Sequence, residues 1–78
     1  MSPTQVEARL RESYPGAEVT VQDLTGTQDN YQVVVISDAF NGMTRIQRHQ
    51  SVMGVFDNEL KSGEVHALTI KAGTQSEK

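Results

Sequence analysis

The stretch "YQVVVIS", residues 31–37, constrains this chain more than any other. Val33 and Val35 fall on one face and Val34 and Ile36 on the other, so β-branched side chains line both sides. Such a run reads as the most buried strand, at the centre of a sheet. A chain of 78 residues supports one core around that strand and buries roughly 60–65% of its unfolded surface. It contains no cysteine, which removes disulfide staples, a thiol nucleophile and any thiolate-held zinc or iron–sulfur site, and which fits a reducing compartment.

The remaining elements arrange themselves around the strand. "SPTQVEARLRESYPG" begins with a capping signal: Ser2 caps, Pro3 suits the first helical position and Gln5 completes a Ser-x-x-Gln box. Val6 and Leu10 then lie one turn apart, and Pro15-Gly16 stops the helix. "AEVTVQDL" alternates, with Ala17, Val19 and Val21 on one face, as a half-buried strand does. "TGTQDN" is a connection of hairpin length. After the break at "SDAFNG", one helix is expected from about Thr44 to Leu60. Its apolar stripe is Ile46, Met53, Phe56 and Leu60, widened by Val52 and Val55, with Gly54 allowing close approach of the sheet. "EVHALTIKA" is the last strand, with His66, Leu68 and Ile70 on one face. The order helix, strand, strand, helix, strand predicts an α+β domain, a three-stranded sheet with both helices on one face. The domain is expected over residues 1–72, with 73–78 a polar, disordered tail.

Chemistry is sparse. The glycines are scattered, no phosphate loop occurs, the serines lack a nucleophile context and the ten acidic residues form no pair motif, so no enzyme is expected. The N-terminus has no apolar signal region and no run approaches the roughly 20 residues of a membrane span, so a cytoplasmic protein is expected. A net charge of −3 disfavours unspecific attraction to nucleic acid. His66 reads either as a satisfied histidine at the edge of an apolar face or as a metal ligand. His49 falls on or beside the buried stripe of the long helix. Arg45 and Arg48, one turn apart on its flank, read as a solvated rim or as a contact for phosphate or an acidic partner.

The combination "VVVISDAFNGMTRIQRHQSV" and, after a short gap, "VHALTIKA" resembles the BolA family. The matching features are the β-branched strand ending in Ser37, Phe40-x-Gly42, Arg48-His49 with Val52 after it, and Val65-His66-Ala67-Leu68; they extend over roughly residues 5–74. The resemblance implies a KH-like (type II) fold, with a short turn or helix between the second strand and the long helix. It also implies a partner, a monothiol glutaredoxin, and a role in iron sensing and iron–sulfur cluster handling. Some bacterial members are transcriptional regulators linked to cell shape and stress. At the position of His66 the family places an iron ligand for a [2Fe–2S] cluster shared with glutaredoxin and glutathione, none being bound by the isolated chain. The family's second ligand, a histidine or cysteine before the second strand, is absent: "GTQDNY" offers only Asp29, a hard oxygen donor poorly matched to a cluster. Arg45, Arg48 and His49 would then belong to the partner-binding rim. The alternative is a nucleic-acid-binding regulator using Arg45 and Arg48, although "GMTR" supplies only the first glycine of a KH clamp. Self-association through an exposed sheet edge is a third route.

Overall fold

The β-branched run takes the middle of the sheet. A computed structural model of the chain describes residues 1–24, 26 and 30–77. In order, these form α1 (Pro3–Ser13), β1 (Glu18–Asp23), β2 (Asn30–Ile36), a 3-10 turn at Asp38–Phe40, α2 (Arg45–Val55), α3 (Asp57–Ser62) and β3 (Ala67–Gly73), with a closing 3-10 turn at Gln75–Glu77. The strand order is β1-β2-β3. β2 runs antiparallel to β1, with Val19 opposite Val35 and Val21 opposite Val33. It runs parallel to β3, with Tyr31 beside Leu68 and Val33 beside Ile70.

Lateral partners share a face, so the odd-numbered residues of β2 and their neighbours make one continuous apolar layer. Tyr31, Val33 and Val35 are fully buried there, in one cluster with Val6 and Leu10 of α1, Val52 of α2, and Phe56. Each fully buried Val contributes about 1.5–3 kcal/mol over its exposed state. The fold is therefore α+β, with the helices over one face of the sheet. Val34 and Ile36, on the other face, are only half-buried among polar neighbours such as Thr20, Thr69 and Lys71.

α1 starts as its sequence demands. The Ser2 hydroxyl accepts from the Gln5 N–H at 3.2 Å, and the Ser2 N–H donates to the Gln5 side chain at 2.8 Å. Gly16, at φ +80°, turns the chain into β1. Tyr14 closes the helix over the core, its hydroxyl sharing a 2.6 Å hydrogen bond with Ser51 of α2 and its ring lying 5.0 Å from that of Phe40.

The expected single helix from Thr44 to Leu60 is two helices. Phe56 adopts φ −112°, ψ 23° between them, which breaks the helical path while sending its ring wholly into the core. Gly54 is exposed and faces open space, so it does not admit the sheet. The buried face of α2 is also rotated from the expected stripe: Val52 is buried, and Ile46 is 71% exposed. Met43, in the loop before the helix, packs against the core instead. Ion pairing ties α1 to α3, because Arg9 meets the buried carboxylate of Glu59 and its guanidinium lies 5.6 Å from the Phe56 ring centroid.

The last strand starts later and ends later than expected. Val65 turns fully into the core, His66 precedes the strand, and pairing begins at Ala67. At the other end Gly73 remains in β3 and its carbonyl accepts from the Ser37 N–H at 2.9 Å. Thr74 is only 2% exposed, so ordered packing continues past residue 72.

Candidate functional site

Two surfaces carry the residues singled out by the sequence, and they lie at opposite ends of β3. The first is a groove of about 800 Å³ between the C-terminal half of β3 and the start of α2. Arg45, Arg48 and His49 come together on its α2 side. Val34 and Ile36, from the helix-free face of β2, give it an apolar wall, and Met43 closes it near the turn.

Local structure explains how the cations are presented. Gly42, at φ +80°, lets the chain reverse after the 3-10 turn. Thr44 then caps α2 in a reciprocal box with Gln47, accepting its N–H at 3.1 Å and donating its own at 2.9 Å. Arg45 follows at the first helical position, and the first turn holds no acid. A helix N-terminus carries partial positive charge, so Arg45 sits where the helix field disfavours it. Arg48 is half-buried, and its Nε–H donates to the Met43 carbonyl at 3.1 Å, which fixes its stem along the groove. His49 is exposed, not set on a buried stripe, because α2 is rotated as described above.

The sequence reading missed Lys71 of β3, which joins the same groove. Its signal was the alternation of the strand, which sets Lys71 with Ala67 and Thr69 on the helix-free face, and a lysine on an edge strand is a recognised charge feature. Among the described residues no Asp or Glu lines the groove, although the chain has ten.

The second surface is His66. It is exposed, one residue before β3, beside the α3 terminus where Gly63 takes φ +84°. A side chain added at Gly63 would meet its Nε2 at 4.0 Å. His66 does not line the groove, whose nearest strand residue, Ile70, lies four residues on, roughly 13 Å along the strand, so it does not join Arg45, Arg48 and His49 there. Asp29, the other candidate ligand, lies outside the described residues. Among the described residues no three His, Cys, Asp or Glu converge to cage a metal. His66 is thus suited to give one imidazole to a metal whose other ligands come from elsewhere.

All four aromatic rings are inside: Tyr14 is 7% exposed, and Tyr31, Phe40 and Phe56 are fully buried. The described surface therefore offers no Tyr or Phe ring for stacked bases, only the imidazoles of His49 and His66. Among the described residues, no helix is long and apolar enough to cross a membrane.

The fold and these surfaces define a small α+β domain with one helix-covered sheet face, a free edge strand and a cationic groove beside it. A family model of BolA-like proteins matches residues 2–77, and the chain belongs to the BolA family. It is 35% identical over 68 residues to protein BOLA2 of Arabidopsis thaliana, covering 86% of this chain and 71% of that one. It is 29% identical over 77 residues to the acid stress protein IbaG of Escherichia coli K12, covering 99% of this chain and 88% of that one. The structure of BolA1 from Arabidopsis thaliana superposes with a TM-score of 0.88 at 26% identity, covering 97% and 94% of the two chains.

Proposed function

We propose that this chain is a non-enzymatic docking protein of the cytoplasm that pairs with a monothiol glutaredoxin and modulates iron–sulfur cluster handling or iron and redox signalling. The observation that carries this reading is the exposure of His66 on a BolA-family domain. One accessible imidazole suits a [2Fe–2S] cluster whose remaining ligands belong to glutaredoxin and glutathione, where a neutral nitrogen donor alters the cluster's charge and potential. This chain's own part is to dock and to hold that imidazole at the rim, with Arg45, Arg48 and His49 as a separate contact in the groove farther along β3. The name of the Escherichia coli relative, an acid stress protein, fits a stress-linked role.

The test is anaerobic mixing with a monothiol glutaredoxin, iron, sulfide and glutathione, read by visible absorption. The cluster spectrum is expected to change with the wild-type chain and to stay unchanged with His66→Ala. An unchanged spectrum with the wild-type chain removes the cluster role. Nucleic-acid binding through Arg45 and Arg48 is the weaker reading, because the Tyr and Phe rings are buried, which leaves only His49 beside the two arginines for base stacking, and the chain carries a net charge of −3.

A further inference from the structure

We propose that the groove beside β3 receives an extended, acidic segment of a partner protein, laid along the free edge of β3 as a fourth strand. The proposal rests on the docking reading only for its location at Arg45 and Arg48, and it involves neither iron nor His66.

Three observations carry it. First, β3 pairs only with β2 among the described residues, so one row of its N–H and C=O groups faces outward. The groove touches Ile70, Lys71, Ala72 and Gly73 in succession. Successive strand residues point to opposite faces, so a cavity touching four in a row, together with Val34 and Ile36 on the helix-free face and Arg45 on α2, wraps around β3 from one face to the other. Second, the charge is one-sided. Arg9, Arg11 and Lys61 pair with Glu59, Glu7 and Asp57, whereas Arg45 and Lys71, both in the groove, have no ion pair among the described residues. Cations unneutralised in a chain of net charge −3 suit carboxylates brought by a partner. Third, Val34, Ile36 and Met43 give the groove apolar walls that accept side chains between those carboxylates.

The same features turn other occupants away. A second copy of this chain would bring its own Lys71, Arg45 and Arg48 against these, and like charges facing across a strand pair repel. Single-stranded nucleic acid offers phosphates but finds no exposed Tyr or Phe on which to stack its bases, only the His49 imidazole, and it brings no backbone donors to the strand edge.

The probe is a fluorescein-labelled peptide of alternating Glu and Val, seven residues long, titrated with the full chain and followed by fluorescence anisotropy. Binding is expected at about 50 mM salt and to weaken at about 300 mM. Amide exchange by NMR is expected to slow in β3. Arg45→Ala with Lys71→Ala should weaken binding about tenfold, with the fold checked by circular dichroism. Of two peptides of equal charge, one N-methylated at the valines and one at the glutamates, the one whose methyl groups face β3 should bind poorly, since it lacks the strand donors. The proposal is overturned by no binding at low salt, by undiminished binding of both methylated peptides, or by tighter binding of an oligothymidine of equal charge. If the peptide binds while the cluster spectrum never changes, the iron reading alone is lost. If the spectrum changes while the peptide does not bind, this proposal alone is lost.

Discussion

Replacing Arg9 by Met is expected to destabilise the fold by about 2–3 kcal/mol, far more than a surface charge should. Glu59 has a side chain only 11% exposed, and apart from the Arg9 ion pair its Oε1 has no well-aimed hydrogen bond. Removing one partner of a buried pair costs about 3–5 kcal/mol, and an exposed pair contributes at most about 1 kcal/mol. Arg9 is 40% exposed, so water reaches the pair from one side and the expected loss falls between, near 2 kcal/mol. The guanidinium over the Phe56 ring adds about 0.5–1 kcal/mol, which Met also forfeits while keeping the stem. For a domain this small the total corresponds to about 10–20 °C in Tm, a sizeable share of a stability near 4–12 kcal/mol. Urea unfolding followed by far-ultraviolet circular dichroism measures it, provided the slope with denaturant is unchanged. Adding Glu59→Leu to Arg9→Met should restore most of the loss, because a buried pair replaced by apolar groups is often neutral. A single-variant cost under about 0.5 kcal/mol, or a double variant as unstable as the single one, refutes the reasoning.

Three further outcomes follow from the helices. Thr44→Ala removes the cap that presents Arg45 and should cost about 1 kcal/mol, with faster amide exchange in the first turn of α2. Ile46→Gln should change urea stability by less than about 0.5 kcal/mol, while Phe56→Ala should cost about 3–5 kcal/mol; a large effect at Ile46 would place the apolar face where periodicity alone puts it.

The order of elements and the central strand were legible because they follow from local rules. The Ser2–Gln5 box and the double-sided run in β2 need no knowledge of their neighbours. Periodicity failed where tertiary contacts overruled it. Ile46 fits an apolar stripe with Met53 and Phe56, but Met43 packs at that end from a loop with no period to read. The break at Phe56 leaves no propensity signal, since it arises from a ring drawn into the core beneath Arg9. Of the site, Arg45 and Arg48 were readable as neighbours one turn apart. Their meeting with Lys71 was not, because it depends on where β3 lies against α2. The separation of His66 from them was hidden for the same reason.

The parallel pairing of β3 with β2 has a consequence for how the molecule assembles and comes apart. β1 and β2 are joined by a short reversal, whereas β3 reaches its place only after α2 and α3 have been threaded over the sheet, a long closure that entropy makes slow. β3 is therefore expected to settle late, and a partner that grips this edge strand would act as a clasp on the entire chain. At a concentration a hundredfold above its dissociation constant, such a clasp would add about 2.7 kcal/mol, so resistance to melting would gauge how much partner is present.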